Sequence, residues 1–190
     1  MNPFPNQIKD VFPDTVSISE ARNSALEQLS GTEFPTPEQE IWRYSKIFDL
    51  DLESLNPSFS APDDKKTELS FLDAKDLSLV SINDGWLGSL KSSQSLGSFQ
   101  GYLGSLADMD EEFAHIQESF NSPKDFFDCL NHSYNPETLV IHVPDGVALE
   151  SPIYIKIQSV ISGQVVCPRI VVNLGENSEA KIVEHHLSGT

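Results

Sequence analysis

Basic residues are scarce in this 190-residue chain. Twelve Lys and Arg face 29 Asp and Glu, a formal net charge of −17. Phosphate backbones and anionic lipids are bound by clustered cations, so the imbalance predicts no nucleic-acid partner and no membrane surface. Cysteine is scarcer still. Cys129 and Cys167 stand far apart and form no CxxC pair and no zinc-ribbon spacing, which predicts a reducing compartment rather than a disulfide framework. No apolar run is long enough for a membrane-spanning helix. The start of the chain has no basic segment followed by an apolar one, so the expected location is cytoplasmic. The patterns GxxxxGK[ST], GxGxxG and GxSxG are all missing. With them go the phosphate loop, the dinucleotide fingerprint and the hydrolase elbow.

What is there changes character near residue 137. Residues 1–137 hold 24 acids, 9 bases and all eleven phenylalanines, whereas 138–190 hold 5 acids and 3 bases and are rich in Val and Ile. Such a shift predicts a change of architecture. The first part reads as mainly helical, with a short strand near 77–82 (LSLVSI) and a turn at Asn83-Asp84-Gly85. Residues 1–16, with three prolines, read as an irregular arm. A helix is expected over 19–30, capped by Ser19, with Ala21, Ala25, Leu26 and Leu29 on one face and Gly31 stopping it. Thr36-Pro37-Glu38-Gln39 has the form of a capping box, predicting a second helix that carries Ile41, Trp42, Arg43 and Tyr44. Residues 48–67 read as an acidic connection and 88–105 as a Gly/Ser-rich loop. Helices follow over 106–120, with Leu106, Met109, Phe113, Ile116 and Phe120 on one stripe, and over 123–131, with Phe126, Phe127 and Leu130 buried.

From 138 onward the pattern is strand and turn. Leu139–Val143, Ile153–Ile157, Arg169–Leu174 and Lys181–Leu187 are β-rich, separated by Pro144-Asp145-Gly146, Ser162-Gly163 and Gly175-Glu176-Asn177. At an offset of 29, Ile141 aligns with Ile170, Val143 with Val172, Gly146 with Gly175, Glu150 with Glu179 and Ile153 with Ile182. Two such copies are what successive coils of a β-solenoid show. Stacked coils need more than two units and a cap, so the last copy is expected to be covered, by another subunit or by more of a longer protein.

Four segments resemble one family. Glu40-Ile41-Trp42-Arg43-Tyr44-Ser45 is similar to the E-x-W-R-Y-[TS] signature of the SufD proteins of iron–sulfur cluster assembly. Leu79 to Gly85 resembles that family's strand and Asn-Gly turn, with Asp84 inserted. Phe126-x-x-x-Leu130-Asn131 followed by Val140 to Ile153 resembles the opening of the core, VP-x-G-v-x-l-E-x-PI. Pro168 to Ala180 resembles PR-x-l-I-x-x-G-E-x-S-x-A. The last two are shared with the sister SufB proteins, while the Trp-Arg-Tyr segment favours SufD. The resemblance spans residues 40–187. It implies an α+β chain: an N-terminal helical region (1–137), then the first coils of a right-handed parallel β-helix (138–190). It also implies a non-enzymatic scaffold subunit of a SufBCD complex, partnered by a SufB-like β-helix subunit and a SufC-like ATPase that hydrolyses the ATP. Family members run to roughly twice this length. Residues implicated in cluster assembly lie in the part without a counterpart here, so no catalytic, cofactor-binding or metal residue is carried over. The cluster belongs to the complex as a whole.

Other side chains invite chemistry. Trp42, Arg43 and Tyr44 could form a ligand site, but the weightier expectation packs both aromatics and pairs Arg43 with an acid. Cys167 with Glu184, His185 and His186 could bind iron or zinc. Adjacent strand residues face opposite ways, so only one of the two histidines could join, and the weightier expectation is a buried thiol, one packed histidine and one in solvent. Cys129, His115, His132 and His142 read as structural. Arg169 is expected to pair with an acid on a neighbouring coil rather than bind an anion. Asp108 to Glu112 reads as an acidic helix start, not a calcium loop. The Asn131-x-Ser133 sequon carries little weight. The competing readings of the whole chain are a solenoid enzyme acting on sugars or acyl groups and a truncated remnant.

Overall fold

A computed structural model describes residues 3–4, 11–12, 15–62, 78–88, 101–110, 116 and 122–188. Two helices are seen among them. α1 spans Val16–Gly31, and its N-cap is Thr15, whose hydroxyl accepts from Ile18 N, so Ser19 lies inside the helix. Arg22, Ala25 and Leu29 are its buried face. α2 spans Phe126–Tyr134, capped by Asp125, whose carboxylate accepts from Asp128 N. Phe126 and Leu130 are buried as expected, and Phe127 is half-buried. The helices pack around a core of Phe4, Leu29, Leu52, Phe126, Cys129, Leu130, Tyr134 and Cys167.

The second helix expected from Thr36 does not form. The chain makes short 3-10 turns instead, at Glu40–Trp42, Ile47–Asp49 and Leu52–Ser54. Glu38 is hydrogen-bonded by the Thr36 side chain, which holds its carboxyl below the usual range. The inward residues Trp42, Ile47 and Leu52 follow no 3.6-residue period, so an α-helix could not bury them together. The connection expected over 48–67 contains a strand, β1 (Asn56–Pro57).

The remaining strands are β2 (Ser78–Asn83), β3 (Trp86–Leu87), β4 (Tyr102–Ser105), β5 (Thr138–Val143), β6 (Ile153–Ser159), β7 (Gln164–Val165), β8 (Arg169–Leu174) and β9 (Ile182–Ser188). The loop expected through 105 therefore ends in β4. Where a helix is expected over 106–120, Leu106–Asp108 forms a 3-10 turn that ends at Met109 in extended backbone, whereas Ile116, on the expected stripe, is helical and buried. Phe113, His115 and Phe120 of that stretch lie outside the described residues, as do Glu111, Glu112, residues 63–77 and 89–100, and most of the arm.

Two larger sheets have the orders β3-β2-β6-β9 and β4-β5-β8, and β1 pairs with β7. β2–β6–β9 and β5–β8 are parallel, while β3 and β4 run antiparallel to their neighbours. Val80 and Ile82 of β2, Leu139, Ile141 and Val143 of β5, and Ile153, Ile155 and Ile157 of β6 form one core between the sheets. Both sheets take strands from either side of residue 137, so the compositional boundary runs through them. The repeat has two registers. β6 pairs with β9 at the offset read from the sequence, Ile153 with Ile182. β5 pairs with β8 two residues further on, Ile141 with Val172 and Val143 with Leu174, and Ala148 bridges Glu179. A shift of two keeps every side chain on its own face. The alternation therefore survives a coil whose turn is two residues shorter.

Candidate functional site

The densest polar assembly of the described residues joins α2 to the strand ahead of it. Asn131 Nδ2 donates to Pro168 O (3.0 Å), which ties the sequon asparagine into the fold. Asn135 Nδ2 donates to Glu137 O and Cys167 O (2.9 Å each), and its Oδ1 accepts from Thr138 Oγ1 (2.7 Å). Arg169 Nη2 lies 2.7 Å from His132 Nε2. That donor fixes the imidazole as an acceptor at Nε2, with its proton on Nδ1. Burial, then the guanidinium beside it, lowers the His132 pKa to about 4. Asp128 Oδ1, 3.3 Å from the same nitrogen, pulls the other way. Arg169 thus meets a histidine of a helix, and Asp128 of the same helix is an acid that steadies its charge. Arg22 is a further lock. Its Nη1 donates to Ser133 O (2.9 Å) and Asn135 O (2.8 Å) at the end of α2, and Phe12 lies under the guanidinium at 4.4 Å. A cation at a helix C-terminus also meets the negative end of its dipole.

Cys167 does not join Glu184, His185 and His186. It is buried in the helical core, and burial pushes its thiol up to about 12, far from a ready thiolate ligand. His185 is half-buried against Tyr154, whose hydroxyl shares a hydrogen bond with Nδ1. His186 is exposed and lies 3.1 Å from Glu184. The division into one packed and one solvent-facing histidine holds. Among the described residues, no group of three or more His, Cys, Asp or Glu is placed to hold a metal. Cys129 is buried beside Leu130, and His142 Nδ1 bonds Asn173 Oδ1 (2.8 Å) on the next strand.

Trp42 and Tyr44 part company. Trp42 packs on Phe127 with ring centroids 5.2 Å apart, whereas Tyr44 is 93% exposed. Arg43 is exposed too.

Asp84 has a role that its position in a turn did not reveal. It is wholly buried, and its Oδ1 accepts from Val160 N (2.7 Å) and Ile161 N (3.3 Å) beyond the end of β6. Asp84 and Gly85 both have positive φ (48° and 88°), the form of a two-residue hairpin turn between β2 and β3. The Asp-Gly dipeptide announces that turn in the sequence. The distant acceptor role has no local signal.

Among the described residues β8 and β9 are the outermost strands of their sheets, at the same end of the stack. Val172 and Leu174 there are half-exposed in line with the core residues Ile141 and Val143. No described helix is long and apolar enough to cross a membrane.

The sequence model of the SufBD protein N-terminal region matches residues 6–155. Protein ABCI7, chloroplastic, of Arabidopsis thaliana is 28% identical over 210 aligned positions, which take in 96% of this chain and 42% of that protein. The chain therefore spans less than half the length of this curated relative.

Proposed function

The chain belongs to the SufBD family, and on that premise we propose that it is the N-terminal part of a SufD-type scaffold in iron–sulfur cluster assembly. The observation that carries the reading is the match of the SufBD N-terminal model across residues 6–155. The segment Glu40 to Ser45 supports the SufD side of the family. The parallel ladders β2–β6–β9 and β5–β8 support the reading of 138–190 as the first coils of a β-helix. In this reading the subunit turns over nothing itself. A SufC-like ATPase hydrolyses ATP, a SufB-like β-helix subunit is the immediate partner, and the iron–sulfur cluster is cargo of the complex. The two buried, free cysteines suit a reducing, cytoplasmic setting.

The test is to purify the complete gene product together with the SufB-like and SufC-like subunits of the same genome. The expected result is one complex containing all three, with no ATP turnover by the subunit alone. A product that stays single while the other two associate would sink the scaffold reading. A product that pairs with a SufD-like subunit in place of the SufB-like one would move the chain to the other branch.

A further inference from the structure

The Trp-Arg-Tyr turn is left half used by the fold. Its backbone is built on i→i+3 bonds: Trp42 N donates to Gln39 O (3.0 Å), Arg43 N to Glu40 O (3.4 Å) and Ser45 N to Trp42 O (3.0 Å). With three residues per turn, side chains at i and i+3 stand above one another. Trp42 and Ser45 therefore share the inward side, where Trp42 meets Phe127. Ile41 and Tyr44 share another side, and they are 80% and 93% exposed. Leu50, a few residues on, is also exposed. The exposed pair does not sit on a loose loop. Ser45 Oγ donates to Trp42 O (2.7 Å), and Ile47 and Leu52 are buried just beyond. An aromatic and a branched aliphatic held on a fixed turn lose little freedom when covered, which is what a binding surface needs.

The charges around the turn select the partner. Glu33, Glu38, Glu40, Asp49, Asp51 and Glu53 are exposed, against two exposed bases, Arg43 and Lys46. Acids at this density repel nucleic acid, anionic lipid and a second copy of this chain alike. We propose that Ile41 and Tyr44 form the apolar centre of a docking surface for a protein whose matching face is an apolar recess rimmed by Lys and Arg. The acids steer and orient that partner, and the two apolar side chains fill its recess.

The experiment places the photocrosslinker p-benzoylphenylalanine at Tyr44 in the full chain, in its own host, with the same residue at Val160 as control. Val160 is exposed too, at 53%, but lies on a different loop. The expected result is one protein adduct from position 44, absent from position 160, mapping to a peptide that carries Lys or Arg. Its yield should fall severalfold with Glu38→Lys plus Glu40→Lys. It should fall likewise when salt is raised from about 0.15 M to about 1 M, which shortens the Debye length from about 8 Å to about 3 Å. Thermal unfolding of each variant, unchanged from the parent, shows that the fold is kept. No adduct, an adduct only with lipid, nucleic acid or another copy of the chain, or a yield indifferent to both charge and salt overturns the proposal.

Discussion

At the scale of single residues, buried polar groups decide more than the exposed acids that dominate the composition. Asp84 holds two backbone N–H groups on a loop far along the chain. Asp84→Ala strips both of their acceptor and puts a Cβ-bearing residue without side-chain compensation at positive φ. The expected cost is about 3 kcal/mol from the two lost hydrogen bonds and the left-handed backbone together. Asp84→Asn keeps an acceptor oxygen and tolerates that backbone, so its cost is expected to stay near 1 kcal/mol. Urea unfolding of the pair measures both, and equal costs would mean that the clamp is not what matters. His132 gives a pH dependence. Its folded pKa of about 4 lies below the ordinary 6.5, so between those values the unfolded chain binds a proton that the folded chain refuses. This contribution is complete above about pH 6.5 and is lost as the pH falls toward about 4. Over that window the wild-type unfolding midpoint is expected to drop more steeply than that of His132→Gln. Parallel slopes would remove His132 from the account.

At the scale of elements, turns and helix ends carry the joints. Stacked turns bring Gly175 N to Val143 O (2.8 Å) and Glu176 N to Asp145 Oδ1 (2.8 Å). A Cβ on Gly175 would stand 2.4 Å from Asp145 N and 2.7 Å from Pro144 C, and backbone atoms cannot step aside. Gly175→Ala is therefore expected to cost about 3 kcal/mol through overpacking. Gly146→Ala has open space, with φ at +70°, and is expected to cost only about 1 kcal/mol. Differential scanning calorimetry should rank them in that order. Arg22→Met leaves the carbonyls of Ser133 and Asn135 without their charged donor, at an expected 2–4 kcal/mol by the same approximate scale. The sequence made some of these elements legible and hid others. Strands β5, β6, β8 and β9 were readable because alternation and turn residues agree locally. Asp-Gly and Gly-Glu-Asn marked their turns for the same reason. The absent helix after Thr36 was not readable, since a capping box states only that a helix could start there. What the following residues must reach, Phe127 and the core beneath Leu52, is set by distant chain.

At the scale of the whole molecule, the net charge of −17 and the outer strands pull in opposite directions. Charge keeps copies apart, but salt at about 0.15 M screens it beyond about 8 Å. The segment 169–188 itself carries three acids and two bases, which is little local repulsion. Among the described residues β8 and β9 end their sheets, and such edges with half-exposed Val172 and Leu174 favour pairing with another chain. The isolated 190-residue chain is therefore expected to self-associate more as salt rises, and Val172→Lys with Leu174→Lys to suppress this while the fold remains. Sedimentation velocity at two salt concentrations reads both effects, and association that weakens with salt would point to charged contacts elsewhere.

By itself the sequence determined what local chemistry can state: the acidic balance, the alternating strands, the repeated spacing and the four segments that resemble the SufB and SufD proteins. The tertiary structure decided what depends on distant neighbours. It set a two-residue difference between the registers of the two ladders and gave Asp84 its far-off partners. It placed His132 against Arg169, and it turned Trp42 inward while leaving Tyr44 outside. The physical reason is the same in each case. Alternation and turn propensity act over a few residues, whereas burial and hydrogen-bond partners are fixed only when segments far apart in the chain meet.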